Sequence, residues 1–133
     1  MNVWIIDDDK DNQRQYLEEF KLRFPQMIVS VFDGLLEARG AKPDFVFIDL
    51  SAVEGRTLPC FDNNSYIGNL IHFIERFRSS FIVIMSAIVS HAKEDVDDIR
   101  DRCGDDHIFT IDPCVTNALT DFCAPYVDGE NGV

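Results

Sequence analysis

The chain has 133 residues, 46% of them apolar, with 24 acidic against 12 basic side chains and a net charge of −12. That length suits one ordinary domain with a real core, and the apolar content excludes wholesale disorder. The acidic balance argues against nucleic acid, whose binding needs a basic face, and against docking on an anionic membrane. A metal cation or a basic partner fits better, while a solvated acidic surface accounts for most of the charge.

In chain order, the run VWII at 3–6 reads as a buried strand and leads straight into Asp7, Asp8 and Asp9, with Asp11 close behind. Tyr16, Leu17, Phe20 and Phe24 then recur at helical spacing, and Pro25 ends that helix. Asp9 and Asp11 read as its cap and first-turn acids. A second strand, MIVSVF at 27–32, is followed by a short helical piece around Leu35, Leu36 and Ala38 before Gly40. A third, FVFI at 45–48, ends on Asp49. The stretch from Ser51 to Tyr66 carries Gly55, Pro59 and the Asn63–Asn64 pair. It reads as a surface insertion or as a lid beside a site.

Ile67, Leu70, Ile71, Ile74 and Phe77 make the clearest helical stripe. The fourth strand, FIVIM at 81–85, is followed by Ser86 and Ala87, and a long segment, IVSHAKED, precedes or opens the next helix. Ala92, Val96, Ile99 and Cys103 line that helix, and Gly104 closes it. The fifth strand, HIFTI at 107–111, meets Asp112 and Pro113. Val115, Ala118, Leu119, Phe122 and Tyr126 predict a last helix, and residues 128–133 a frayed tail.

The N-terminus MNVWIIDDD has no basic region before its apolar one, so no signal peptide is predicted, and FIVIM is far too short to cross a bilayer. Cys60, Cys103, Cys114 and Cys123 form no C-x-x-C pair. Neither a zinc site nor a redox motif is indicated, and reduced thiols in a cytoplasmic protein are expected.

Strand and helix thus alternate five times, which predicts one α/β domain over residues 1–127: a parallel sheet with helices on both faces. Ligands of such sheets bind beyond the carboxyl ends of the strands. Three strands deliver carboxylates there: Asp7 and Asp8, Asp49, and Asp112. Oxygen ligands gathered this way suit a hard divalent cation, which offsets their mutual repulsion.

The Asp7–Asp8 pair, Asp49, Ser86–Ala87, Phe109 and Pro113, each at its place in the strand order, resemble the receiver domains of two-component response regulators. The resemblance covers nearly the whole chain. It implies a flavodoxin-like, doubly wound five-stranded sheet in order 2-1-3-4-5. It further implies that Asp49 accepts a phosphoryl group from a histidine kinase, a phosphotransfer protein or a small donor. Asp8, Asp49 and the Ser51 carbonyl would hold Mg²⁺ or Mn²⁺, with Asp7 acting through a coordinated water. Ser86 would bond a phosphoryl oxygen, and Phe109 would change rotamer. The readout to a downstream protein target would run through the helix after the fourth strand, the fifth strand and the last helix. Such a chain is a phosphoacceptor signalling domain and not a turnover enzyme.

Asp112 departs from the pattern. Receivers carry a lysine there, and a carboxylate reverses the sign of the charge offered to the phosphoryl group. Lys10 and Lys93 are the bases that could substitute. Receivers also commonly have a cis peptide before the proline, so a cis Asp112–Pro113 bond is expected. A second reading keeps the fold as a binding module that signals without phosphorylation. A third is a small haloacid-dehalogenase-like phosphatase, for which Asp7 and Asp9 match a D-x-D motif. Its final acidic pair, however, ends a strand, whereas Asp105–Asp106 precedes one, and no room remains for a cap domain.

Overall fold

The computed structural model describes residues 1–52, 63–85, 89–104 and 106–131, with the side chains of all of these except 51, 63–67, 89–95 and 128–131. The strands are β1 (Asn2–Ile6), β2 (Ile28–Phe32), β3 (Phe45–Asp49), β4 (Phe81–Met85) and β5 (Ile108–Ile111). The helices are α1 (Lys10–Arg23), α2 (Asn63–Arg76), α3 (Val89–Cys103) and α4 (Ala118–Asn131). All pairings are parallel, as the alternation of elements predicts, and the order is β2-β1-β3-β4-β5, as the resemblance implies.

Successive residues of a strand point to opposite faces, so each central strand feeds two cores. Trp4, Ile6, Ile48 and Ile84 pack with Leu70, Ile74 and Ile99 of α2 and α3. Val3, Ile5, Phe47 and Met85 pack with Phe20 of α1 and with Leu119 and Cys123 of α4. Each fully buried side chain of this kind contributes about 1.5–3 kcal/mol. That is why β1, β3 and β4 read as unbroken apolar runs.

Helix α1 starts at the carboxyl end of β1. The Asp9 carboxylate accepts the backbone N–H groups of Asp11 and Asn12, at 2.9 and 3.1 Å, satisfying two otherwise unbonded donors. Replacing Asp9 by Ala is expected to cost about 1 kcal/mol in urea unfolding. Of the predicted stripe, Tyr16 and Phe20 on α1 and Phe24 at its C-cap are buried, while Leu17 is 36% exposed. In the last helix the stripe turns to Leu119, Cys123 and Val127, and Val115 lies exposed before the helix begins.

The second crossover departs from expectation. Where a helical piece is predicted around Leu35, Leu36 and Ala38, there is a single 3-10 turn, Leu35–Glu37. Leu35 is buried but Leu36 is 86% exposed, so the segment buries too little to offset helix nucleation. Gly34 offers no side chain to cap it, and the chain turns at Gly40 with φ 125°. Strand β2 is therefore half-exposed at the sheet edge.

Among the described residues, Cys103, Cys114 and Cys123 are free thiols, and no helix is long and apolar enough to cross a membrane.

Candidate functional site

The carboxyl ends of β1 and β3 lie side by side, because Ile6 pairs with Ile48. Asp7 continues β1 by donating its N–H to the carbonyl of Phe32, at 3.0 Å. Its side chain is 1% exposed. One carboxylate oxygen accepts the Asp9 N–H at 2.9 Å, and the other accepts Asn12 Nδ2 at 3.3 Å. Burial pushes the Asp7 carboxyl up to about 6; the Asp9 hydrogen bond opposes this, the charges of Asp49 and Asp8 add to it, and the Asn12 bond lowers it again. Asp49 is half-buried at the end of β3, opposite Met85 of β4, and Asp8 is exposed.

Asp7, Asp8 and Asp49 thus act on one another at the mouth of the two central strands. Beneath them, burial first and then the charges of Asp7 and Asp49 raise the Tyr16 hydroxyl above its ordinary value. The backbone of Ser51 lies in the 3-10 turn Leu50–Ala52, directly after Asp49. Among the described residues, no three His, Cys, Asp or Glu side chains stand together as a ready-made metal cage. The donor set nevertheless fits a magnesium-like ion, which keeps several waters and takes few protein carboxylates. A carboxylate that resists ionisation through burial first, and then through the charges of Asp49 and Asp8, is an environment that a divalent cation stabilises.

Two polar neighbours, Gln13 and Asp33, are missed when the sequence alone is read. Gln13, buried on α1, donates Nε2 to the Asp7 carbonyl at 2.5 Å and to Asp33 Oδ1 at 2.8 Å. Lys10 Nζ reaches the same Asp33 oxygen at 2.5 Å. These bonds, that of Lys10 first, hold the Asp33 carboxyl below its ordinary range. Lys10 therefore faces β2, and it is Asp33 that it neutralises. Gln13 stands three residues before Tyr16 and seven before Phe20, on the core-facing side of the helix; a polar residue at such a position was the available signal.

The loop after β5 is built differently from expectation. Among the described residues every peptide bond is trans, so the Asp112–Pro113 bond is trans and not cis. Asp112 Oδ1 accepts the Cys114 N–H at 2.9 Å, and the Asp112 carbonyl accepts the Val115 N–H at 3.3 Å. This is an Asx-closed turn with Pro113 at its second position, where a trans proline is favoured. The Asp112 carboxylate is exposed and committed to this turn. Phe109 is half-buried, with its ring centroid 5.2 Å from Phe122 of α4 and 5.9 Å from Phe81. Ser86 and Ala87, most of the 51–66 loop and the Lys93 side chain lie outside the described residues.

No family model matches the chain, and no curated protein matches it. Solved structures do. A LuxR-family DNA-binding response regulator from Silicibacter pomeroyi is 15% identical, with a TM-score of 0.59 over 97% of this chain and 93% of that one. A response regulator from Colwellia psychrerythraea is 19% identical, with a TM-score of 0.57 over 98% and 96%. The Mn²⁺-bound form of response regulator Rcp1 is 13% identical, with a TM-score of 0.60 over 95% and 93%. Identities this low carry the architecture and leave the chemistry to be argued from the residues. With its strand order and its near-complete coverage of all three, the chain has the doubly wound receiver fold of the response regulators.

Proposed function

We propose that this chain is a response-regulator receiver domain of two-component signalling that accepts a phosphoryl group on Asp49. The observation that carries the reading is the pairing of buried Asp7 with Asp49 at the carboxyl ends of the two central strands. In this reading an Asp49 carboxylate oxygen attacks the phosphorus of a phosphohistidine on a kinase or phosphotransfer protein. A P–O bond forms, the P–N bond breaks, and the imidazole leaves with the N–P electron pair and takes up a proton. The product is an acyl phosphate. Asp8, Asp49 and the Ser51 carbonyl would hold Mg²⁺ or Mn²⁺, with Asp7 beside it; the ion would offset charge on the phosphoryl oxygens. The Mn²⁺ in the Rcp1 structure supports a divalent ion on this fold.

Ser86 is assigned the bond to a phosphoryl oxygen, and Phe109 the rotamer change. Phe109 already packs on α4, so its movement would alter the surface formed by α3, β5 and α4 that a downstream protein reads. The protein is read as cytoplasmic, and as a signalling domain without turnover.

The second reading, a binding module that signals without phosphorylation, is favoured by Asp112, whose carboxylate stands in a closed turn where receivers offer an ammonium. The phosphatase reading loses its motif, because the Asp9 carboxylate is engaged as the cap of α1.

The test is incubation with acetyl phosphate and Mg²⁺, followed by intact-mass measurement. The receiver reading expects one added phosphoryl group in the wild type and none in Asp49→Asn. No addition in the wild type, together with no beryllofluoride-induced shift at Ser86 or Phe109, would leave the binding module as the function.

A further inference from the structure

We infer that two copies of this chain pair through the exposed edge of β2, antiparallel about a two-fold axis at Ser30, to make one continuous ten-stranded sheet. This pairing does not depend on phosphorylation and is made by the main chain. Ile28 donates its N–H to the Met1 carbonyl at 3.0 Å, and the Phe32 carbonyl accepts the Asp7 N–H at 3.0 Å. In a parallel ladder alternate residues turn both main-chain groups to the same side. Ile28, Ser30 and Phe32 are thus spent on β1, while Val29 and Val31 turn their N–H and C=O outward. Strand β2 ends the sheet, and no hydrogen bond among the described residues uses that row.

A strand of this kind is a template for pairing unless something blunts it. The usual devices are a charge, a proline, a bulge or a covering helix. The sequence IVSVF has no charge and no proline. Its pairing with β1 is regular and without a bulge. The crossover that follows supplies a 3-10 turn where a covering helix could lie. Ile28 is left 66% exposed for the same reason.

The edge is also self-complementary, which is why a second copy is the occupant. With the axis at Ser30, Val29 faces Val31 of the other copy and each such pair exchanges two hydrogen bonds, using every outward group of both residues. Ile28 then faces Phe32 in the non-hydrogen-bonded register, where side chains approach most closely, and a β-branched residue against an aromatic is a favourable cross-strand pair. Charge agrees. Two chains of net charge −12 repel over most of their surface, yet residues 24–32 contain no acid. The nearest, Asp33, has its carboxylate turned back to Lys10 and Gln13. A five-residue pair buries less than a standard interface, so the association is weak and concentration-dependent.

Sedimentation velocity from about 10 µM to about 1 mM, in salt high enough to screen the acidic surfaces, reads this directly. The wild type is expected to move from monomer toward dimer across that range. Ser30→Lys sets two ammonium groups against each other at the axis and is expected to hold the protein monomeric. Val29→Pro removes an N–H that the monomer does not use, and should also weaken dimerisation while the far-ultraviolet circular dichroism stays unchanged. Ser30→Cys, on a background with Cys60 and Cys114 replaced by Ser, should give a disulfide-linked dimer, because directly opposed non-hydrogen-bonded residues have Cα atoms about 4.5 Å apart. Leu22→Cys on the same background, exposed on α1, should not. A wild type that stays monomeric to about 1 mM overturns the inference. So does a Ser30→Lys protein that dimerises like the wild type, or cross-linking from Leu22→Cys equal to that from Ser30→Cys.

Discussion

Asp7→Asn is expected to stabilise the metal-free protein at neutral pH and to remove much of the rise in stability that the wild type shows on mild acidification. Asp7 is buried, and its carboxyl is pushed up to about 6 by burial and by Asp49 and Asp8, against an ordinary value of 3.8. A folded-state value above the unfolded one means that the native state holds the proton more tightly. The group is therefore a penalty above about pH 6, and the penalty fades as pH falls through 6 toward 4. A shift of about two units corresponds to at most about 3 kcal/mol, and solvent reaching the mouth of the site reduces this to about 1–2 kcal/mol.

Asparagine carries no charge at any pH, and its side-chain oxygen can still accept the Asp9 N–H. Its amide nitrogen would face Asn12, whose own amide can turn to present oxygen. Urea unfolding with a chelator present, from pH 4.5 to 8, measures the effect. The wild type should gain stability toward pH 5 while Asp7→Asn changes less. Magnesium should then raise the melting temperature of the wild type more than that of the variant, since a cation acts on the same repulsion. Loss of stability in Asp7→Asn at neutral pH without metal would mean that its two hydrogen bonds outweigh the cost of holding a buried charge beside Asp49 and Asp8, and the electrostatic case for a cation would fall with it.

The readability of this fold follows where burial is two-sided. Strands β1, β3 and β4 have helices on both faces, so 3–6, 45–48 and 81–85 are uniformly apolar, and the first acids, Asp7 and Asp49, mark the ends of β1 and β3. Strand β2 is equally apolar but stands at an edge; its run MIVSVF does not by itself distinguish a strand packed on both faces from one left open. The 35–38 segment carries apolar residues without a helical stripe. Only the outcome at Leu36, left in solvent, separates a turn from a helix.

At the site, carboxylates at strand ends are visible because the strands are. The side chains that orient them are harder to see, since Gln13 and Asp33 come from different elements and meet only when β2 lies beside β1. The turn after β5 escapes for another reason. Asp112 and Pro113 match receivers at the proline and not before it. Once the first residue can close an Asx turn on Cys114, the trans arrangement satisfies the backbone locally.

That turn decides what Asp112→Lys should do. If the Asp112 carboxylate faced the incoming phosphoryl group, unit charges at about 4 Å would repel by about 4 kcal/mol at an effective dielectric near 20. Instead it is exposed and bonded to the Cys114 N–H, so most of that repulsion is absent. What the chain lacks at this place is the attraction a cation would supply. A lysine at the end of β5 would extend its ammonium across the end of β4 toward that of β3, where Asp49 stands. Even half of the Coulombic figure, about 2 kcal/mol, is worth more than tenfold in rate. The variant also loses the Asx bond, at a cost of about 1 kcal/mol in stability.

The expected result is therefore paired: Asp112→Lys takes up phosphoryl groups from acetyl phosphate about tenfold faster or more while unfolding at lower urea. Asp112→Ala is the control. It loses the same turn bond and gains no ammonium, so it should share the instability without the faster uptake. A gain in Asp112→Ala equal to that in Asp112→Lys would mean that the carboxylate had been opposing the phosphoryl group after all. No gain in either would mean that another residue already supplies the positive charge.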